Sequence, residues 1–261
     1  MDRMAALITG ASSGIGAEFA RALAVRGNDL VVVARNEQRL VELAGAVQEA
    51  HGVCVEVLPA DLETNDGVAT VEARLGEGAG PIELLVNNAG FATNGAFHAL
   101  PADGEVAEIN LNVVALVRLT HAALGPMVQR GHGGVINVSS VGAYQPTPNS
   151  ATYGATKAFV SSFTNAIHEE LDGTGVKAMV LAPGFTHTEF HVRAKIENND
   201  SMPNFVWQDA DEVVASALKA YDKGRAVCIP GALNNVAAAF SGSMPAGVTR
   251  KIAGMVTKRT Y

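Results

Sequence analysis

The chain has little of what marks several protein classes. Of its 261 residues, two are cysteine and one is tryptophan. Cys54 and Cys228 each lie in an apolar, strand-like run. They read as small core residues, not as a disulfide framework or a metal site. Positive charge is also short: 19 Lys and Arg against 26 Asp and Glu leave a formal charge of −7. That balance argues against a nucleic-acid surface. The basic cluster Arg250, Lys251, Lys258 and Arg259 is terminal; it reads as a solvated helix face, or as charge that helps pack the C-terminus in an oligomer. No apolar run reaches about 18 residues, so no membrane span is expected. The first strand begins almost at once, so no signal peptide is expected and the chain is placed in the cytoplasm. No repeat, low-complexity tract or Pro/Gly/Ser linker divides it. One domain over residues 1–261 is the expectation.

What is present is an alternation. Short apolar runs read as strands at Ala5–Thr9, Leu30–Ala34, Val53–Leu58, Leu84–Val86, Val135–Val138, Lys177–Leu181 and Ala226–Ile229. Helical periodicity fills the intervals. Continuous apolar strands alternating with helices indicate a parallel sheet covered on both faces. The ends of these strands carry the chemistry. The first runs into Thr9-Gly10-Ala11-Ser12-Ser13-Gly14-Ile15-Gly16 and then a helix. Gly10 allows a tight turn, Gly14 a close approach of backbone to a pyrophosphate, and Gly16 close helix–strand packing. The second ends at Arg35, where an arginine suits the 2′-phosphate of NADP(H) and a carboxylate would suit NAD. Arg39, a turn later, either assists or is an ordinary surface residue. Asp61 ends the third strand, as an adenine contact or a helix N-cap residue. Asn87-Asn88-Ala89-Gly90 ends the fourth, and lines the cleft or steadies the sheet. Asn110 lies among apolar helix residues, where an amide needs a use such as a bend or a bound water. Asn112 is its ambiguous neighbour.

The densest signal runs from Ser140 to Lys157. Tyr153 and Lys157 are four apart and share a helix face. A loop containing Pro146 and Pro148 can return Ser140 to that face. Tyrosine's ordinary pKa of about 10 is too high for work near neutrality. A cation at ~5 Å in an effective dielectric of ~20 contributes roughly 3 kcal/mol, on the order of two pKa units downward. Lys157 is expected to supply it, and Ser140 to hold the reacting oxygen. Taken alone, the pair reads first as a surface contact four residues apart. In a doubly wound parallel sheet, however, all the strand ends above lie on one edge, where ligands bind.

Thr9–Gly16, Asp61, Asn87–Gly90, Asn110, Ser140, Tyr153 with Lys157, and Pro183-Gly184 together resemble the short-chain dehydrogenase/reductase (SDR) family. The resemblance spans about Met4 to Thr188. The thirteen-residue step from Ser140 to Tyr153 matches the family's usual spacing, with Ser139 the poorer candidate. It implies an α/β, doubly wound Rossmann fold with a seven-stranded parallel sheet of order 3-2-1-4-5-6-7. It implies Tyr153 as general acid/base, Lys157 on the nicotinamide ribose, Ser140 on the substrate oxygen and Asn110 holding a relay water. NADP(H) would meet Gly10, Ser12, Ser13, Gly14, Ile15, Gly16, Arg35, Asp61, Leu62, Asn88, Ala89, Gly90, Tyr153, Lys157, Pro183, Gly184, Phe185 and Thr188. Ser13 stands where NADP-using relatives often carry Lys or Arg, so the NADP assignment rests mainly on Arg35.

The stretch of about residues 185–208, with Phe190, Met202, Phe205 and Trp207, is expected to close over a small, apolar carbonyl or alcohol substrate. Phe91, Thr93, Ala143, Tyr144 and Gln145 join it near the cleft. The pattern His187-Thr188-Glu189-Phe190-His191 departs by one residue from the zinc-protease spacing and shows no third ligand, so no metal is expected. The helix from Ala151 is apolar on two sides: Val160, Ile167 and Leu171 inward, Phe159, Phe163 and Ala166 outward. The outward stripe points to a homodimer or homotetramer. Two rival readings remain: a catalytically silent NADP(H) sensor or scaffold, and an extended-family epimerase or dehydratase. The latter usually carries a larger C-terminal domain than the seventy or so residues after Thr188.

Overall fold

A computed structural model describes residues 4–76, 80–190, 194, 206–236, 247 and 251. Seven strands form one parallel sheet: β1 (Ala5–Thr9), β2 (Asp29–Ala34), β3 (Val55–Pro59), β4 (Ile82–Asn87), β5 (Gly133–Val138), β6 (Val176–Leu181) and β7 (Val227–Cys228). Their spatial order is β3-β2-β1-β4-β5-β6-β7, the order expected from the sequence. The central strands are buried on both faces; every residue of β1 is buried. That is why they read as unbroken apolar runs instead of alternating ones.

Two cores flank the sheet. On one face pack α1 (Gly14–Val25), α2 (Glu37–His51) and α7 (Ala210–Asp222), through Phe19, Leu23, Leu40, Val213 and Leu218. On the other pack α3 (Asn65–Gly76), α5 (Leu116–Arg130) and α6 (Ala151–Glu170), through Val71, Leu119, Met127 and Ile167. Each fully buried large side chain among these contributes about 1.5–3 kcal/mol. Local signals place the helix ends. Asn36 caps α2 by accepting from the Arg39 amide at 3.1 Å, and Gly52, at φ 63°, closes it in the left-handed region.

Two expectations change. Cys54 is exposed, because β3 begins only at Val55 and lies at the sheet edge; the Cys54 amide donates to Asp29 instead. Cys228 is buried, as expected. The long helix near Asn110 is composite: α4 (Ala102–Ile109), a π-helical turn (Asn110–Ala115) and α5 run together. This 29-residue stretch is long and apolar enough to cross a bilayer by composition, although no unbroken apolar run signals it. It also packs on the sheet and α3 and carries Glu105, Glu108 and Arg118, which is the pattern of a core helix. The basic cluster at Arg250, Lys258 and Arg259, with Met202 and Phe205, lies outside the described residues.

Candidate active site

The carboxyl ends of β1, β2, β4, β5 and β6 border one cleft of about 720 Å³. Its floor is the turn from β1 into α1. Gly10 (φ 66°) and Gly14 (φ 54°) adopt left-handed backbone, and a Cβ on Gly14 would press on Thr188 at 3.0 Å. Gly16 lies beneath the cleft; a Cβ there would overlap the Gly10 carbonyl and the Asn88 amide. Ser13 precedes α1 without a side-chain cap, and the first turn of α1 holds no acidic residue. The positive end of a twelve-residue helix therefore opens onto the cleft, an anion site by backbone geometry alone.

Thr9, for whose hydroxyl the sequence suggested no role, locks this floor to β4. Its hydroxyl accepts from the Asn88 and Ala89 amides, both at 3.0 Å, and Asn88 Nδ2 donates to the Thr9 carbonyl at 2.9 Å. Gly10, Ser12, Ser13, Gly14, Ile15, Arg35, Asn88, Ala89, Gly90, Ser140, Tyr153, Lys157, Pro183, Gly184, Phe185 and Thr188 all line the cleft. Arg35 stands exposed at one end, paired with Glu63 at 2.6 Å. Asp61 and Leu62 are not on the wall. The Asp61 carboxylate accepts from the Glu63 amide at 3.0 Å, inside the turn before α3, and Leu62 is buried in the core. Glu63 takes their place at the rim, because the turn swings its side chain outward.

Asn110 requires the plainest correction. It is exposed, whereas Asn112 is 1 % exposed. Asn112 Oδ1 accepts from the Phe91 amide at 3.1 Å, and its Nδ2 donates to the Phe91 carbonyl and to Thr156 Oγ1. A Cβ on Gly90 would meet both Asn112 Oδ1 at 2.8 Å and Lys157 Nζ at 3.6 Å, so these groups converge. Residues two apart on a helix point nearly oppositely. Asn112 shares its face with Leu116 and Leu119, and Asn110 with exposed Val106 and Val114; the apolar periodicity carried that signal.

Ser139 and Ser140 differ in their partners. Ser139 Oγ is spent on the Lys157 carbonyl and Ser161. Ser140 accepts from the Gly142 amide at 3.0 Å and lines the cleft together with Tyr153. Tyr153 packs against Phe190, ring centroids 5.6 Å apart. Burial pushes the Tyr153 phenol up to about 12; the Ser140 hydroxyl opposes this and the Glu108 charge adds to it. Burial likewise brings the Lys157 ammonium down to about 8, against the pull of Glu108. The expected lowering of tyrosine by lysine is therefore overridden. Lys157 Nζ donates to the Val138 carbonyl at 2.8 Å and lies 5.7 Å from the centroid of the tyrosine ring, while desolvation acts on the hydroxyl directly.

Across the cleft, Thr186, Thr188 and Phe190 form the facing wall. Phe185 packs on Trp207 at 5.5 Å and His187 stacks on Trp207 at 4.8 Å. His187 thus has an aromatic role; His191 lies outside the described residues. Among the described residues no group of three metal-type side chains forms.

The model of the short chain dehydrogenase family matches residues 4–199. Sulfoacetaldehyde reductase 2 of Chromohalobacter salexigens is 40% identical over 190 residues, 70% of this chain and 73% of that protein. A short-chain dehydrogenase from Sphingobium yanoikuyae, solved in complex with NADPH, superposes with a TM-score of 0.83 at 39% identity, covering 93% of this chain and 96% of the other. A bulky-bulky ketone specific alcohol dehydrogenase from Comamonas testosteroni gives 0.79 at 33% identity, covering 94% and 96%.

Proposed function

Given that the chain belongs to the short-chain dehydrogenase family, we propose that it reduces the carbonyl of a small, mainly apolar compound with NADPH, Tyr153 delivering the proton. The observation that carries this reading is the convergence of Ser140, Tyr153 and Lys157 in the same cleft as the open N-terminus of α1. The donor set fits a dinucleotide: free backbone amides at Gly14–Gly16 for a pyrophosphate, a cradle that a Cβ on Gly14 would obstruct, and a guanidinium at the far end. NADPH, when bound, supplies the hydride. Arg35 favours its 2′-phosphate, and must exchange Glu63 for it.

The chain's own groups do the rest. The Tyr153 hydroxyl donates its proton to the substrate oxygen as negative charge develops there. Ser140 keeps that oxygen within reach and stabilises the charge. Lys157, enclosed and protonated below about pH 8, holds a positive charge beside the phenol. Asn112, not Asn110, fixes the Phe91 backbone and so the wall opposite. The apolar lining, Phe91, Ala92, Val141, Pro148 and Phe190, excludes water and suits an apolar ketone or aldehyde. The NADPH bound to one solved relative supports the cofactor, and the ketone specificity named for the other supports a carbonyl substrate without fixing its size. On the outer side of α6, Phe159 is 42 % exposed and stacks on Phe163 at 5.6 Å; we assign this stripe to a second copy of the chain.

The test is NADPH oxidation over a panel of ketones and aldehydes, with Tyr153→Phe as comparison. Wild-type turnover that falls by about 10²-fold or more in the variant, with NADPH binding retained, supports the assignment. Equal inactivity of both proteins on a broad panel refutes it.

A further inference from the structure

Helix α4 buries two carboxylates that the proposed chemistry does not use. Glu105 is 6 % exposed and Glu108 is 0 % exposed. Three residues apart, they are neighbours on one helix face. Each keeps one carboxyl oxygen, Oε1, buried without a hydrogen-bond partner among the described residues. Such an atom is unfavourable to bury, so a pair of them calls for a use. Their other oxygens show what that use is. Glu108 Oε2 accepts from the Thr93 amide at 2.9 Å and the Thr93 hydroxyl at 2.8 Å. Glu105 Oε2 accepts from the hydroxyl of Thr152, the residue before Tyr153. Helix α4 thus fastens the Phe91–Asn94 wall of the cleft and the first turn of α6.

We propose that Glu108 is a positioning residue for the carbonyl reduction, a role that rests on the function proposed above. It holds the Phe91–Asn94 wall through Thr93, and its charge sets how firmly Lys157 and Tyr153 keep their protons. The charged groups facing it are Glu105 on its own helix and Lys157 on α6; Tyr153 faces it as a neutral phenol, and the loop contributes the uncharged Thr93. Burial, with Glu105, raises the Glu108 carboxyl above the ordinary range, while the Thr93 bonds and Lys157 draw it back. Once ionised, Glu108 favours the proton on both Lys157 and Tyr153. Reduction needs Tyr153 protonated. Glu108 therefore extends activity toward alkaline pH.

Glu108→Gln keeps an acceptor oxygen for Thr93 and removes the charge. Thr93→Val removes one donor and keeps the charge. In the full-length protein, we expect the alkaline fall of kcat/KM for a ketone to move to lower pH by about half to one unit in Glu108→Gln. The ultraviolet tyrosinate signal that disappears in Tyr153→Phe should titrate lower by the same amount. Thr93→Val should raise KM about three- to tenfold without moving the alkaline limb, since one wall-holding bond is lost. A Glu108→Gln protein with wild-type pH profile and tyrosinate titration overturns the electrostatic role; unchanged KM in Thr93→Val overturns the positioning role, even where Glu108→Gln fails to fold. If wild type reduces no ketone, the functional reading fails instead, and the tyrosinate titration still decides the electrostatic role.

Discussion

Lys157 is predicted to weaken the fold it serves. Lys157 is 5 % exposed, and burial brings its ammonium from 10.5 to about 8. A fall of that size corresponds to about 3 kcal/mol of disfavoured charge. The Val138 carbonyl bond at 2.8 Å, made by a charged donor, is lost on replacement and offsets about 2 kcal/mol. Lys157→Met, which keeps the stem and removes the charge, should therefore stabilise the protein by about 1 kcal/mol at neutral pH while abolishing turnover. For a chain of this size that is a rise in Tm of about 2–4 °C. The pH dependence follows from linkage. A lysine whose folded-state pKa is depressed destabilises fully below about 8, where folded and unfolded chains both carry the proton. The penalty is relieved as pH rises from about 8 toward 10.5. The advantage of the variant should be flat up to about pH 8 and then narrow by about 1.4 kcal/mol per unit. Thermal unfolding of both proteins between about pH 6.5 and pH 9.5 checks this, below the range in which Tyr153 enters. A variant less stable than wild type at neutrality, or a pH-independent gap, would refute the reasoning.

Gly16→Ala places a methyl group against the Gly10 carbonyl and the Asn88 amide; it should lose about 2 kcal/mol in denaturant unfolding and weaken NADPH binding by fluorescence titration. Asn112→Ala, which leaves the Phe91 amide and carbonyl without their partner, should lose about 2–3 kcal/mol and most of its turnover. Asn110→Ala, at an exposed position, should stay within about 0.5 kcal/mol of wild type, and identical behaviour of the two would undo the exchange of roles. Arg35→Asp should reverse the preference between NADPH and NADH, read as the ratio of kcat/KM values; an unchanged ratio removes Arg35 from cofactor selection.

The sheet was legible because it is buried on both faces. Its strands announce themselves as apolar runs, and once the order is parallel the strand ends must share an edge. That inference placed Gly10, Arg35, Asn88, Ser140 and Pro183 together without any contact being known. Where the reading failed, side-chain direction within a correctly placed element decided the outcome. Asn110 and Asn112 lie in the same helix, yet only the face carrying Leu116 and Leu119 looks inward. Asp61 ends the expected strand, yet its carboxylate turns back to the Glu63 amide. The sign of the tyrosine shift was not legible either, since it depends on desolvation. Sequence spacing gives the distance between a phenol and an ammonium, and says nothing of how burial weighs on each. Glu105 and Glu108 carry no signal in the sequence; their use shows only in the packing of α4 against α6 and the Thr93 segment.

The tie between Thr9 and the start of the β4 loop divides the cleft into unequal halves. One half takes its shape from main-chain bonding between adjacent strands and is complete as soon as the sheet is. The other half, where Phe185 and His187 exchange backbone bonds with Gln208 and stack on Trp207, depends on a few aromatic contacts outside the sheet. Substitutions in the second half can therefore reshape the cleft while leaving the Gly10–Gly16 turn, which β1 and β4 hold, as it is.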